Sequence, residues 1–227
     1  MTERREAGAA ILSRIRRANG GGDGADEARR RAVAERLSGH PQGVVPARGQ
    51  LPLEDRIALF RAMAEKASAT TERIESCDAL PEAVTDWLRR NNLPAELKMS
   101  GDPRFADAPF DRTALAITTG ATDGSDLNAL SHADGAVAES GTLVLLSGPN
   151  NPTGLNYLPD NHIVALAARD VEGAMEAIWP KLRAAYGDGL MPRSVNLVTG
   201  PSRSADIEQT LLIGAHGPRA LHIIIVG

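Results

Sequence analysis

The sequence predicts an α/β fold: a mainly parallel sheet with helices on both faces, extended at its amino end by further helices. Short apolar runs of strand length recur at Ala114–Thr119, Gly135–Ala138, Leu143–Leu146, His162–Ala167, Ser194–Thr199 and Leu221–Val226. Segments with apolar residues three and four apart separate them. Strands that are apolar along their whole length are buried on both faces, the habit of parallel sheets covered by helices. A length of 227 residues, 42% of them hydrophobic, suffices for one sizeable domain and a smaller appendage.

The elements follow in order. Ala9–Ala18 mixes Ile11, Leu12 and Ile15 with arginines, and the run Asn19-Gly20-Gly21-Gly22 stops it. Asp26 caps a second predicted helix that reaches about Leu37, and Ser38–Pro52, rich in Pro and Gly, reads as a linker. Residues 1–52 therefore form a helical extension with linker, and 53–227 the α/β domain. Leu53–Ala69 is amphipathic, with Leu53, Ile57, Phe60, Met63, Ala64 and Ala67 on one stripe. Thr71–Cys77 is a predicted strand, Asp78 and Pro81 open a helix that ends near Asn91, and a short strand covers Glu96–Met99. Val171–Tyr186 has helical spacing through Met175, Ile178, Trp179 and Leu182, and Ala205–Ile213 is predicted helical as well.

Composition excludes several classes. Aromatic residues make up 3% and the net charge is −4, so neither a base-stacking surface nor a global pull on phosphate backbones exists. No apolar run reaches membrane-spanning length, and the start of the chain lacks the apolar core of a secretory signal, so a cytoplasmic location is expected. Cys77 is the single cysteine, which leaves no thiolate set for an iron–sulfur cluster or a Cys-rich zinc site. The first 40 residues carry nine Arg against six acids, a basic surplus that solvated helix faces or a docking surface for an acidic partner would explain.

In open parallel sheets ligands sit beyond the carboxyl ends of the strands. The loops that the predicted strands place there are Thr119–Asp126, Glu139–Thr142, Leu158–His162 and Thr199–Asp206. Thr119 and Gly120 offer loop donors. Glu139, in Glu139-Ser140-Gly141-Thr142, could serve as base, nucleophile or ligand, or lie in solvent at a polar bend, with Thr142 beside it. Asp160 and His162 are two apart, so an extended chain points them to one face where they could share a proton. Gly200, Ser202, Arg203 and Asp206 stand at a predicted strand-to-helix turn, an anion site in form, although acids such as Asp206 more often complement a helix dipole. His216 sits in a Gly-rich turn that could fold over a site, His222 reads as a satisfied core residue, and His40 and His132 carry no motif. No catalytic triad order, metal-ligand spacing or dinucleotide fingerprint is present, and the residues alone point to a small anionic ligand.

Three segments together carry a family resemblance: Gly135-Ala-Val-Ala-Glu-Ser-Gly-Thr-Leu143, Leu158-Pro-Asp-Asn-His-Ile-Val164, and Gly200-Pro-Ser-Arg-Ser-Ala-Asp-Ile-Glu208 continuing to Gly214-Ala-His-Gly-Pro218. They resemble the lactate-utilization protein C branch of the LUD-domain family. That resemblance implies a fold of the NagB/RpiA/CoA-transferase group and a part in oxidising L-lactate to pyruvate. It implies no cofactor in this chain, with iron–sulfur clusters on partner proteins, and a subunit that binds substrate, positions a partner or regulates assembly. It brings no established catalytic residue with it. Three alternatives stay open: a CoA-transferase-like enzyme, to whose Glu-x-Gly turn Glu139-Ser140-Gly141 is similar, a cyclo-ligase-like enzyme, and a purely structural subunit.

Overall fold

Ala220–Val226 (β12) reads Ala-Leu-His-Ile-Ile-Ile-Val, and in the computed structural model it lies inside a six-stranded sheet. The structure describes residues 2–19, 23–187, 189–207 and 210–227, without the side chains of 2–7, 23–25 and 204–213. Strand order is β1 (Thr70–Ile74), β12, β7 (Asn161–Ala167), β4 (Asn128–His132), β2 (Glu96–Met99) and β3 (Ala116–Thr119), and every pairing is parallel. Alternation divides the core in two. Ile163, Ala165, Ile224 and Leu130 face α4 (Leu80–Arg90), which brings Leu80, Val84, Trp87 and Leu88. Val164, Leu166, Leu221, Ile223 and Ile225 face the other way, onto α3 (Leu53–Lys66) and a second sheet. From α3 the stripe Ile57, Phe60 and Ala64 is buried, as the spacing predicts.

The second sheet holds β8 (Val171–Glu172), β5 (Gly135–Val137), β6 (Thr142–Leu146) and β9 (Val195–Val198), in that order. It corrects the helix expected over Val171–Tyr186. Val171–Glu172 pairs with β5, a 3₁₀ turn follows at Met175–Ala177, and α5 covers only Ile178–Tyr186. Gly173 explains the break. A Cβ there would lie 1.8 Å from the Gly49 carbonyl oxygen, so the backbones touch where a helix would place side chains. Glu172 then receives Arg56 at 3.0 Å and Lys181 at 2.5 Å.

The helix expected over Ala205–Ile213 is also corrected. Arg203–Ile207 (β10) and Thr210–Ile213 (β11) form an antiparallel hairpin, Arg203 opposite Ile213 and Ser204 opposite Leu212. Thr210, Ile213 and Ile207 are β-branched, which favours strand over helix in so short a segment. With the helix goes its amino end, the proposed source of anion-binding N–H groups.

The chain divides into two compact units, one up to Val44 and one from Val45 to Gly227. The first contains α1 (Thr2–Ala18) and α2 (Asp23–Gly39). Residues 45–52, expected as linker, belong to the second unit and include the Gly49 contact with Gly173. Among the described residues no helix is long and apolar enough to cross a membrane.

Candidate functional site

The carboxyl ends of β2 and β4 carry a polar cluster that no motif announces. Asp102, whose side chain is 2% exposed, accepts from the Arg104 backbone at 2.9 Å and from Arg104 Nε at 2.8 Å. Arg104 also reaches Asp134 at 2.9 Å and the Ala133 carbonyl at 3.2 Å. Asn151 donates to Asp102 at 2.8 Å, and Asp134 accepts from the Leu146 backbone at 2.8 Å. The guanidinium thus ties the Asp102 loop to the Asp134 loop, and Asp102 in turn holds Asn151 of a third. Burial pushes the Asp102 carboxyl up, but the Arg104 and Asn151 hydrogen bonds outweigh it and hold it at about 2. Asp134 is raised by its burial despite the Leu146 N–H and Arg104.

Beside the clasp lies a cavity of about 10 Å³ lined by Ser100, Ser131, His132, Asn151 and Asn156. Burial, then the Arg104 charge, lowers His132 to about 4, so the ring is neutral at pH 7. Its Nδ1 faces the Ala133 carbonyl at 2.7 Å and must carry the proton, which leaves Nε2 as an acceptor. Ser100 Oγ and Asn151 Oδ1 are buried without a protein partner. A volume of this size has room for one water, not for an organic acid. The net charge of the clasp, two carboxylates against one guanidinium, also opposes an anion there.

The residues singled out from sequence fall into separate groups. Thr119 and Gly120 join the carboxyl-end cluster: Gly120 donates to the Met99 carbonyl at 3.0 Å, and Thr119 lies across Gly101 from Asn150. His162 joins it from below, fully buried, with Nε2 2.7 Å from Ser131 Oγ. Burial lowers His162 to about 4, and its Nδ1 has no protein partner. Asp160 is not on that face. It precedes β7 at the amino end of the sheet, where its carbonyl accepts from Arg219 and Ala220 and its carboxylate lies 3.9 Å from Arg219. The expectation that the Leu158–His162 loop lies beyond a carboxyl end is therefore corrected, because this loop enters its strand.

A second group gathers at the end of α3. Thr142 Oγ1 stands 2.7 Å from both Ser140 Oγ and Thr199 Oγ1. Gly141 has φ 68°, and a Cβ there would lie 2.4 Å from the Ala64 nitrogen. Gly200 packs as closely on the Ala67 carbonyl, to which Arg203 donates at 2.6 Å. Arg203 thus satisfies a carbonyl left over at a helix carboxyl end. Glu139 turns away from the group: Oε1 accepts from the Met175 backbone at 2.9 Å, and Oε2 is buried without a partner.

The third group is at the surface. Ser202 donates its N–H to the Pro218 carbonyl at 2.8 Å and accepts from Gly214 at 3.0 Å, while its Oγ accepts from the His216 backbone at 3.3 Å. Gly214 packs on the Arg219 side chain, which is 66% exposed. His216 and Arg203 are exposed as well. This is where the described residues from the expected anion loop leave cations and donors toward solvent. The Asp206 side chain lies outside the described residues.

Residues 125–226 match the model of the LUD domain. Among similar proteins, lactate utilization protein C of Halalkalibacterium halodurans is 39% identical over 99 residues, which cover 42% of this chain and 43% of that protein. The protein of the same name from Geobacillus sp. (strain WCH70) is 33% identical over 140 residues, 61% of this chain and 55% of that protein. The matches thus span about half the length of these relatives. Among solved structures, a DUF162 family protein from Deinococcus radiodurans superposes with a TM-score of 0.58 at 21% identity, over 78% of this chain and 99% of that one. That likeness concerns the fold, and it extends beyond the LUD domain match.

Proposed function

We propose that this protein serves lactate utilization in the cytoplasm, as a subunit of a system that oxidises L-lactate to pyruvate with iron–sulfur partner proteins. The observation that carries the reading is the similarity to relatives named lactate utilization protein C. A single cysteine in this chain fits a division of labour in which clusters and electron transfer belong to the partners. The chain's own task is to hold a small anionic ligand at the Ser202–His216 junction. His216 and Arg219 are exposed there, and Arg203 keeps guanidinium N–H groups beyond the one on the Ala67 carbonyl, whereas the carboxyl-end cavity is too small and its surroundings too acidic. A Glu139 nucleophile is disfavoured, since its carboxylate caps the Met175 N–H rather than meeting an opening.

Growth tests the reading. A deletion strain that lacks any other lactate dehydrogenase is expected to fail on L-lactate, to grow normally on glucose, and to recover when the gene is restored. Restored as Arg203→Ala with His216→Ala, the gene is expected to leave lactate growth impaired although the protein accumulates. Normal growth of the deletion strain on L-lactate refutes the pathway. Full rescue by the double variant refutes the ligand site alone.

A further inference from the structure

The two amino-terminal helices expose more apolar surface than solvated helices need. On α1, Ile11 is 60%, Leu12 56% and Ile15 50% exposed; on α2, Val33 is 52% and Leu37 69% exposed. None of these side chains belongs to the hydrophobic core clusters of the described residues, whose first member is Ile57. Grouped exposed apolar side chains of this kind mark an interaction surface.

Arginines share these helices: Arg14, Arg16 and Arg17 on α1, and Arg29, Arg30, Arg31 and Arg36 on α2. Asp26 lies 3.9 Å from Arg29, and Val33, Ala34 and Leu37 share one open face of α2 with Asp26, Arg29 and Arg30. Of the chain's 25 basic and 29 acidic residues, nine and six fall in the first 40, so the remainder carries seven more acids than bases. The positive charge is thus concentrated on the helices that carry the exposed apolar groups. Apolar side chains interleaved with arginines suit a partner surface that offers apolar and acidic groups together.

We propose that α1 and α2 form a docking element for a partner protein whose contact surface interleaves apolar and acidic groups. A lipid surface fits less well, because residues 1–40 contain no Trp, Tyr or Phe to anchor in the headgroup layer. The inference rests on the proposed lactate system for the partner's identity, not for its chemistry.

The test places a photo-crosslinking amino acid at Leu12 or Leu37 of the full chain, in cells of the source organism growing on L-lactate. Adducts are identified by mass spectrometry, and the purified partner is titrated against the full chain at two salt concentrations. The expected result is one acidic partner at both positions. Its affinity falls with salt and drops at least about tenfold in Arg14→Glu with Arg30→Glu, whose helical circular dichroism is unchanged. Adducts with phospholipid or with a second copy overturn the proposal. So does the lack of any adduct, or binding that ignores charge reversal. The lactate growth phenotype is read separately, so failure of docking and failure of the pathway assignment give different results.

Discussion

Arg104→Ala is expected to lower the free energy of unfolding by about 3–5 kcal/mol, the cost of stranding a buried carboxylate. Asp102 is almost fully buried, and Arg104 gives it a backbone and side-chain grip while holding Asp134 and the Ala133 carbonyl. Removal of the guanidinium leaves Asp102 with Asn151 as its remaining side-chain donor. Urea denaturation at pH 7 reads the loss. The double variant Asp102→Asn, Arg104→Met is expected to recover a large part of it, because no charge is then left buried. A single variant as stable as the parent would show that the clasp is not what joins the Asp102 and Asp134 loops.

Stability is expected to fall steeply between pH 6.5 and pH 4, a loss that begins well above the range where most carboxylates protonate. His132, His162 and His222 are all held at about 4, in each case first by burial. In the unfolded chain they return to their ordinary value near 6.5. Their neutral forms belong to the fold, so their contribution is intact above 6.5 and is lost as falling pH lets the unfolded chain take up protons. Near pH 5 the three together give a slope of roughly 3–4 kcal/mol per pH unit. His222→Leu tests the share of one group. His222 stacks on Trp87 with ring centroids 5.1 Å apart, and its Nδ1 meets Thr70 Oγ1 at 2.8 Å. Measured by urea denaturation between pH 4.5 and 7, the variant is expected to lose about a third of the slope. An unchanged slope would place the acid sensitivity elsewhere.

Much of the frame was legible because apolar runs and stripes report burial directly. Glu96–Met99, Leu53–Ala69 and Leu221–Val226 were read from their patterns and found within a few residues, and His222 is the core histidine it was read to be, although only its Nδ1 has a hydrogen-bond partner. Asn128–His132 was not legible. All five of its residues are buried, yet Asn128, Ser131 and His132 make it read as a loop. Their polar groups are satisfied inside the fold: Asn128 by Pro94, Glu96 and Asn161, and Ser131 by His162. The helix expected over Ala205–Ile213 failed because a nine-residue segment with Ile207, Leu211 and Leu212 satisfies helical and strand spacing alike.

The carboxyl-end site escaped for a different reason. Ser100-Gly-Asp-Pro-Arg104 has the composition of a turn, and Asp134 and Asn151 join Asp102 and Arg104 only through the fold. The sequence signal that existed was the loop after Glu96–Met99, which the strand-end rule would have included had that short strand been weighed with the longer ones. Glu139 and Arg203 show the converse. Their motifs were visible, but nothing in the spacing reveals that one caps Met175 and the other the end of α3.

The most direct measurement is L-lactate oxidation in extracts of the deletion strain, followed as pyruvate formation with an artificial electron acceptor, before and after addition of the purified protein. The account predicts little pyruvate from the deletion extract and a restored rate when the protein is added to saturation. An extract that oxidises L-lactate at the parental rate without the protein would contradict it.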